Sequence, residues 1–185
     1  ISQTTNFTVS RQEAAKELLR RRAARTGLIG FTEYTLPSYQ SAWHHILIAN
    51  KLDAVARGEI DRLMINMPPR HGKSELASRR FPAMLLGMQP EQTIISASYN
   101  ITKAAEFGGE VRDIVRGAEY KALFPNIELK EDTTAKDFWR TDQGGYYIAA
   151  GVGTAITGRG TIGPLVLIDD PLKDRAEADS QVRRE

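Results

Sequence analysis

The chain has 185 residues, 41% of them hydrophobic and 26% charged, with a net charge of +2, which fits one domain with its own core and leaves little room for a second. So small a charge excess excludes a broadly basic nucleic-acid binder; any such surface has to be local. There is no cysteine, which excludes disulfides and thiolate metal sites, and no apolar run reaches the length of a membrane span.

The opening stretch ISQTTNFTVSRQEAAKELL has no signal-peptide core and no initiator Met. The last residues, QVRRE, stop in a charged helical pattern without a stop signal, so the chain reads as a piece of a longer protein. Ser10 predicts the cap of a helix from about Arg11 to Arg25, with Gly27 as its stop. Ala14 with Leu18, and Ala15 with Leu19 and Ala23, fall at helical spacing. Arg20, Arg21, Arg22 and Arg25 read as a solvated helix end favoured by the dipole, with a DNA or partner contact as the alternative. Residues 1–28 are taken as a helical arm and 29–185 as the main domain.

Ser38 predicts the cap of a second helix from residue 39, ending at Gly58. His44 and His45 are adjacent and so do not share a helix face; with His71 they show no metal-ligand spacing. RLMINM (62–67) predicts a buried strand and the residues from Lys73 to about Gly87 a helix. TIISAS (93–98) predicts a second buried strand and residues 101–116 another helix. Asn100 or Ser98 is the expected cap, with a coupling role for the Ser98, Tyr99, Asn100 strand end as the alternative. Between 127 and 150 the pieces IELKE, DFWRT and GGYYIAAG predict an antiparallel hairpin or a small sheet inserted in the order, its acidic run 128–137 a solvated tip. GPLVLIDDP (163–171) is expected to be the most buried strand. Asp174, Glu177 and Asp179 favour a helix start beyond it. Strands alternating with helices predict an α/β fold with a mainly parallel central sheet flanked by helices.

The chemistry gathers at MPPRHGKSE (67–75). A bare Gly-Lys-Ser is weak, since it arises by chance in on the order of one chain in ten of this size. Here it follows an apolar run and opens a helix, as a phosphate-binding loop requires. Such a helix start offers unpaired N–H groups and partial positive charge. Gly72 permits close backbone approach, Lys73 reaches the β and γ phosphates of ATP, and the Ser74 hydroxyl ligates Mg²⁺. Glu75 completes the set. The pattern departs from the usual loop, with Met67 where Gly is usual. Pro68 and Pro69 donate no N–H, and Arg70 can replace those donors on phosphate oxygens. His71 is a further contact or simply an exposed loop residue.

The matching half is LVLIDDP. Asp169, at the tip of an apolar strand, is expected to hold Mg²⁺, and Asp170 to orient or deprotonate the attacking water; alone, DDP reads equally as a strand-ending turn. In GVGTAITGRGTIGP (151–164), Arg159 between glycines is either a loop arginine in water or an arginine finger on the γ-phosphoryl group. In PSYQSAW (37–43), Gln40 can pair with an adenine edge and Tyr39 stack on the base. Otherwise Tyr39 and Trp43 pack at i, i+4 spacing. Arg79 and Arg80 read as a solvated face, or as DNA or interface contacts.

Taken in order, MPPRHGKS, ISASYN, TGRG and LVLIDDP resemble the ATPase domain of the large terminase subunit of tailed bacteriophages, over about residues 30 to 180. The resemblance implies a P-loop NTPase fold and a basic residue in the phosphate loop, matched by Arg70. It implies an arginine acting in trans, matched in position by Arg159, and an adenine-contacting Gln, matched by Gln40. Asp170 stands where Glu is more usual. It further implies double-stranded DNA, a portal protein and a small terminase subunit as partners, and a ring of copies on the portal with a monomer in isolation. The place implied is the host cytoplasm, without a membrane. The nuclease and coupling motif of such proteins lie outside this sequence. A helicase-like or remodelling ATPase, or a nucleotide-binding assembly module with little turnover, are the alternative functions.

Overall fold

The computed structural model describes residues 10–151 and 165–172. It is an α/β fold: an open, five-stranded mixed sheet flanked by helices. Helix α1 (Arg11–Thr26) starts where Ser10 predicts, with a reciprocal capping box in which Ser10 Oγ accepts from the Glu13 amide and the Glu13 carboxylate accepts from the Ser10 amide. Its apolar spacing does not bury it: Leu18 and Leu19 are exposed and Ala24 is the buried position. The basic run is partly engaged within the chain, with Arg21 on Glu17 and the Tyr34 hydroxyl and Arg25 on the Leu123 carbonyl.

Helix α2 (Leu28–Thr35) was not predicted; its eight residues are too short to show a helical period, and it is held by burial of Leu28, Phe31 and Thr32. The Asp53 carboxylate accepts from the Leu28 amide and so caps it from another helix. Helix α3 (Trp43–Ala56) begins later than predicted. Ser38 is not its cap: it lies in a turn closed by the Tyr39 amide donating to the Leu36 carbonyl, and the cap position is the extended Ala42, whose amide donates to His45 Nδ1 at 3.0 Å. Trp43, expected to pack inward in one reading, is 77% exposed.

The predicted strand at 62–67 is not one. The segment runs without regular hydrogen bonding, although Leu63, Ile65 and Met67 turn toward the core and Arg62, Met64 and Asn66 do not. A cleft of about 450 Å³, lined by Leu63, Ile65, Leu165 and Leu167, separates it from the sheet, whereas a ladder needs neighbours about 4.8 Å apart.

After the loop the chain turns helical at Lys73, passes through a π-helical segment, Glu75–Arg80, and continues as α4 (Phe81–Met88), as expected for 73–87. Strand β1 (Thr93–Ser98) and helix α5 (Ile101–Arg116) fall where predicted, and the Asn100 side chain caps α5 by accepting from the Lys103 amide. A short α6 (Ala118–Leu123) follows, unpredicted. Then come β2 (Leu129–Thr134), β3 (Phe138–Thr141), β4 (Tyr146–Gly151) and β5 (Leu165–Ile168).

The strand order is β2-β3-β4-β1-β5, with β4-β1 and β1-β5 parallel and β2-β3 and β3-β4 antiparallel. The expectation of a mainly parallel sheet with a separate hairpin is thus corrected: the hairpin extends the sheet through β4, the strand that pairs both ways. The ranking of burial is corrected too. All six residues of β1 are buried because it is central, while β5 lies at an edge and exposes Val166 and Ile168. An apolar run marks a strand but not its rank in the sheet.

Helix α5 closes on β3 and β4 because Gly108 has no side chain: a Cβ there would run into the Lys136 carbonyl and the Tyr147 ring. Its own carbonyl accepts from Trp139 Nε1 at 3.0 Å, and the fully buried Trp139 stacks on Tyr147 with ring centroids 5.1 Å apart. Such a stack contributes about 1 kcal/mol beyond burial. Among the described residues no helix is long and apolar enough to cross a membrane.

Candidate active site

The two motifs meet at the C-terminal ends of the parallel strands. Strand β5 pairs with β1 as far as Ile168, and the Asp169 amide still donates to the Ala97 carbonyl. The carboxylate at its tip is therefore fixed by the sheet. Lys73 Nζ lies 3.0 Å from Asp169 Oδ1 and 2.7 Å from Asp170 Oδ1, joining groups 97 residues apart for the longer pair. Asp169 is nearly buried and Asp170 is largely exposed, so the first is held and the second faces solvent.

Burial pushes the Asp169 carboxyl up, but hydrogen bonds from Lys73, Ser74 and Ser78 and the Lys73 charge outweigh it and hold the group below the usual carboxylate range. Lys73 is likewise drawn down by burial and, more strongly, held up by its bonds to Asp170 and Asp169. Lys73 and Asp169 are thus both charged at neutral pH. The cluster sets hydroxyl and carboxylate oxygens around one point, which are the hard donors Mg²⁺ takes, with few protein ligands needed.

Backbone strain falls on the same residues. Among the described residues only Arg70 (φ 64°) and Asp170 (φ 48°) carry a side chain at positive φ, a conformation costing about 1 kcal/mol each. Both are predicted site residues, and strain of this kind gathers where a site over-determines the backbone. Gly72, at φ 82°, is a second left-handed position in the loop. The prolines fit this geometry: the Pro69 carbonyl accepts from His71 Nδ1 at 2.8 Å, so His71 ties the loop to itself.

The remaining predicted residues take different places. Glu75 pairs with Arg80 at 2.7 Å, a spacing of five residues that the π-helical turn brings into line. Arg80 also donates to the Thr35 carbonyl and hydroxyl, and it is only 8% exposed; its reading as a solvated face is corrected. Arg79 binds Glu110 and lies over the Phe107 ring, so it too is engaged within the chain. Tyr39 packs on the core with its ring 5.4 Å from His45. Burial, with Glu75 and Glu33 nearby, pushes its hydroxyl up to about 12. Gln40 is exposed in the segment between α2 and α3. Arg159, Asp174, Glu177 and Asp179 lie outside the described residues.

Two site residues escaped the sequence reading. Ser78 Oγ donates to Asp169 Oδ2 at 2.9 Å. It follows Ser74 by four residues, and that one-turn spacing from the expected Mg²⁺ ligand was the available signal. His45 Nε2 donates to the His71 carbonyl of the loop, 3.1 Å away; metal-ligand spacing does not point to it because it binds backbone. No family model, no curated protein and no solved structure matches the chain.

Proposed function

We propose that the chain is a Mg²⁺-dependent ATPase domain with a P-loop NTPase fold. The observation that carries this reading is the convergence of Lys73 on Asp169 and Asp170 within 3.0 Å. An amine beside a helix start suits phosphate oxygens, and a rigidly held carboxylate beside a hydroxyl suits the hard cation that travels with a triphosphate. In this reading Arg70 and the Gly72 amide hold phosphate oxygens, Ser74 and Asp169 hold Mg²⁺, and Lys73 neutralises charge between them. The ion, when bound, polarises the γ-phosphoryl group. Asp170 would accept a proton from water, a role supported by its exposure and its position beside Lys73. Gln40, exposed between α2 and α3, would meet the base, with Tyr39 supporting that segment by packing.

The motif resemblance supports the finer proposal that this ATPase drives translocation of double-stranded viral DNA into a procapsid. There it would work as one copy in a ring on the portal, with Arg159 serving a neighbouring copy's site and a small terminase subunit as a partner in the host cytoplasm. Substituting Lys73→Ala tests the ATPase itself. Hydrolysis is expected to fall at least about 100-fold, the loss of a principal charge on the transferring group, with the circular-dichroism spectrum unchanged. Wild-type turnover in a folded Lys73→Ala protein would remove the assignment.

A further inference from the structure

We infer that His45 is a positioning residue for the phosphate loop, acting through the peptide plane between His71 and Gly72; this rests on reading residues 67–75 as a phosphate loop. The ring's proton is assigned by its neighbours. The Ala42 amide can only donate, so His45 Nδ1, 3.0 Å away, must be the acceptor. The ring N–H is then on Nε2, which faces the His71 carbonyl at 3.1 Å and donates to it. One imidazole therefore caps the start of α3 with one nitrogen and grips the loop with the other.

The grip has a directional consequence. In a trans peptide the carbonyl and the following N–H point in opposite directions. Holding the His71 carbonyl toward His45 aims the Gly72 N–H away from α3. The same logic applies two residues earlier, where His71 Nδ1 holds the Pro69 carbonyl and turns the Arg70 N–H the other way. The positive φ values at Arg70 and Gly72 are the backbone form of this alternation. Gly72 is confined further by contact: a Cβ there would sit 2.7 Å from His45 Nε2. The loop has prolines at 68 and 69, which have no N–H to give. Each remaining amide counts for more, and a side chain from outside the loop fixes the direction of one of them. His45 also adjoins the segment that carries Gln40, since its Nδ1 bond holds Ala42, so it couples the two parts of the nucleotide site.

Two substitutions separate the two nitrogens. In His45→Asn the amide oxygen can stand in for Nδ1 and keep the helix cap, but nothing reaches the His71 carbonyl. In His45→Gln the amide nitrogen stands in for Nε2 and keeps the grip. Affinity for a non-hydrolysable ATP analogue with Mg²⁺ is measured by calorimetry for the wild type, both variants and Lys73→Ala. Thermal melting without nucleotide is read alongside. His45→Asn is expected to bind about tenfold more weakly, the scale of one misdirected hydrogen bond to a charged group, with its melting temperature close to wild type. His45→Gln should recover most of that loss. Equal affinity of His45→Asn and wild type, or the reverse order of the two variants, overturns the positioning role and leaves only a helix cap. If Lys73→Ala binds as well as wild type, the phosphate-loop reading itself fails, which is a separate outcome. Nitrogen-15 spectra of the His45 ring give a check free of nucleotide: a proton on Nε2 is expected, and a proton on Nδ1 alone overturns the proposal.

Discussion

Ser78 Oγ donates a hydrogen bond to Asp169 Oδ2, at 2.9 Å, while Lys73 occupies the other oxygen of the same carboxylate. The carboxylate is nearly buried, so its rotation is set by its donors, these two and Ser74. Removing the hydroxyl by Ser78→Ala leaves one oxygen without its buried partner, at a cost of about 1–3 kcal/mol. The expected result is a lower unfolding midpoint in urea and a weaker apparent Mg²⁺ affinity, seen as a several-fold higher Mg²⁺ concentration for half-maximal turnover. A variant that lost stability but kept its Mg²⁺ response would show Ser78 to be a packing residue only.

The acid limb of stability should report the same cluster. The folded Asp169 carboxyl lies below its unfolded value. Its contribution is therefore fully present above the unfolded pKa, about 3.9, and is lost as pH falls through the lower folded value. Asp53 works in the opposite sense, because burial raises it despite the Leu28 amide. Comparing wild type with Lys73→Ala cancels Asp53, which is common to both. The stability gap between the two is expected to be about 2 kcal/mol at pH 7. It should narrow as Asp169 protonates below about pH 4. A gap that stays constant from pH 7 to pH 3 would mean that Lys73 does not stabilise the fold through the carboxylates.

Glu75 and Arg80 form a pair in which Arg80 is almost fully buried. Replacing Arg80 by Leu leaves the Glu75 carboxylate with Arg79 alone, 3.6 Å away; breaking a buried pair costs about 3–5 kcal/mol, reduced here by that second arginine and because Glu75 keeps some access to water. The double substitution Arg80→Leu with Glu75→Gln should recover part of the loss, as measured by chemical unfolding. Because the Glu75 carboxylate is committed to Arg80, Glu75→Gln is expected to change nucleotide affinity less than twofold. A larger drop would return Glu75 to the nucleotide.

What the sequence disclosed follows the range of the forces involved. Ser10 with Glu13, Asn100 with Lys103, and the six apolar residues of β1 are local or uniform signals, and each element starts where they place it. The pairing of Lys73 with the two aspartates was also legible, because loop-then-helix and strand-then-carboxylate are each local patterns and the α/β topology brings their ends together. The failures share a cause. Residues 62–67 alternate as a strand should, yet pairing depends on a neighbour that the segment itself cannot specify. Asp53 capping α2, Arg80 reaching Thr35 and His45 reaching His71 are bonds between distant segments, and neither spacing nor propensity encodes them. The rank of β5 in the sheet is a property of topology for the same reason.

Asp170 allows charge and backbone to be tested apart. Its φ of 48° is a conformation that Asn, like Asp, adopts readily. Asp170→Asn therefore removes the charge and leaves the strand end in place. Turnover is expected to fall by two to three orders of magnitude, in the range seen when a general base is lost. Nucleotide affinity should hold or rise, since a negative group near the phosphates has gone. Asp170→Glu is the complementary change. It restores the carboxylate with one more methylene, but Glu is less at ease at positive φ, at a cost of about 1 kcal/mol. If the base acts from the side chain alone, Asp170→Glu should recover most of the activity that Asn loses, with a slightly lower melting temperature. If Asn hydrolyses ATP as fast as wild type, the water is activated elsewhere. Asp170 would then be left as a partner that holds Lys73 in place.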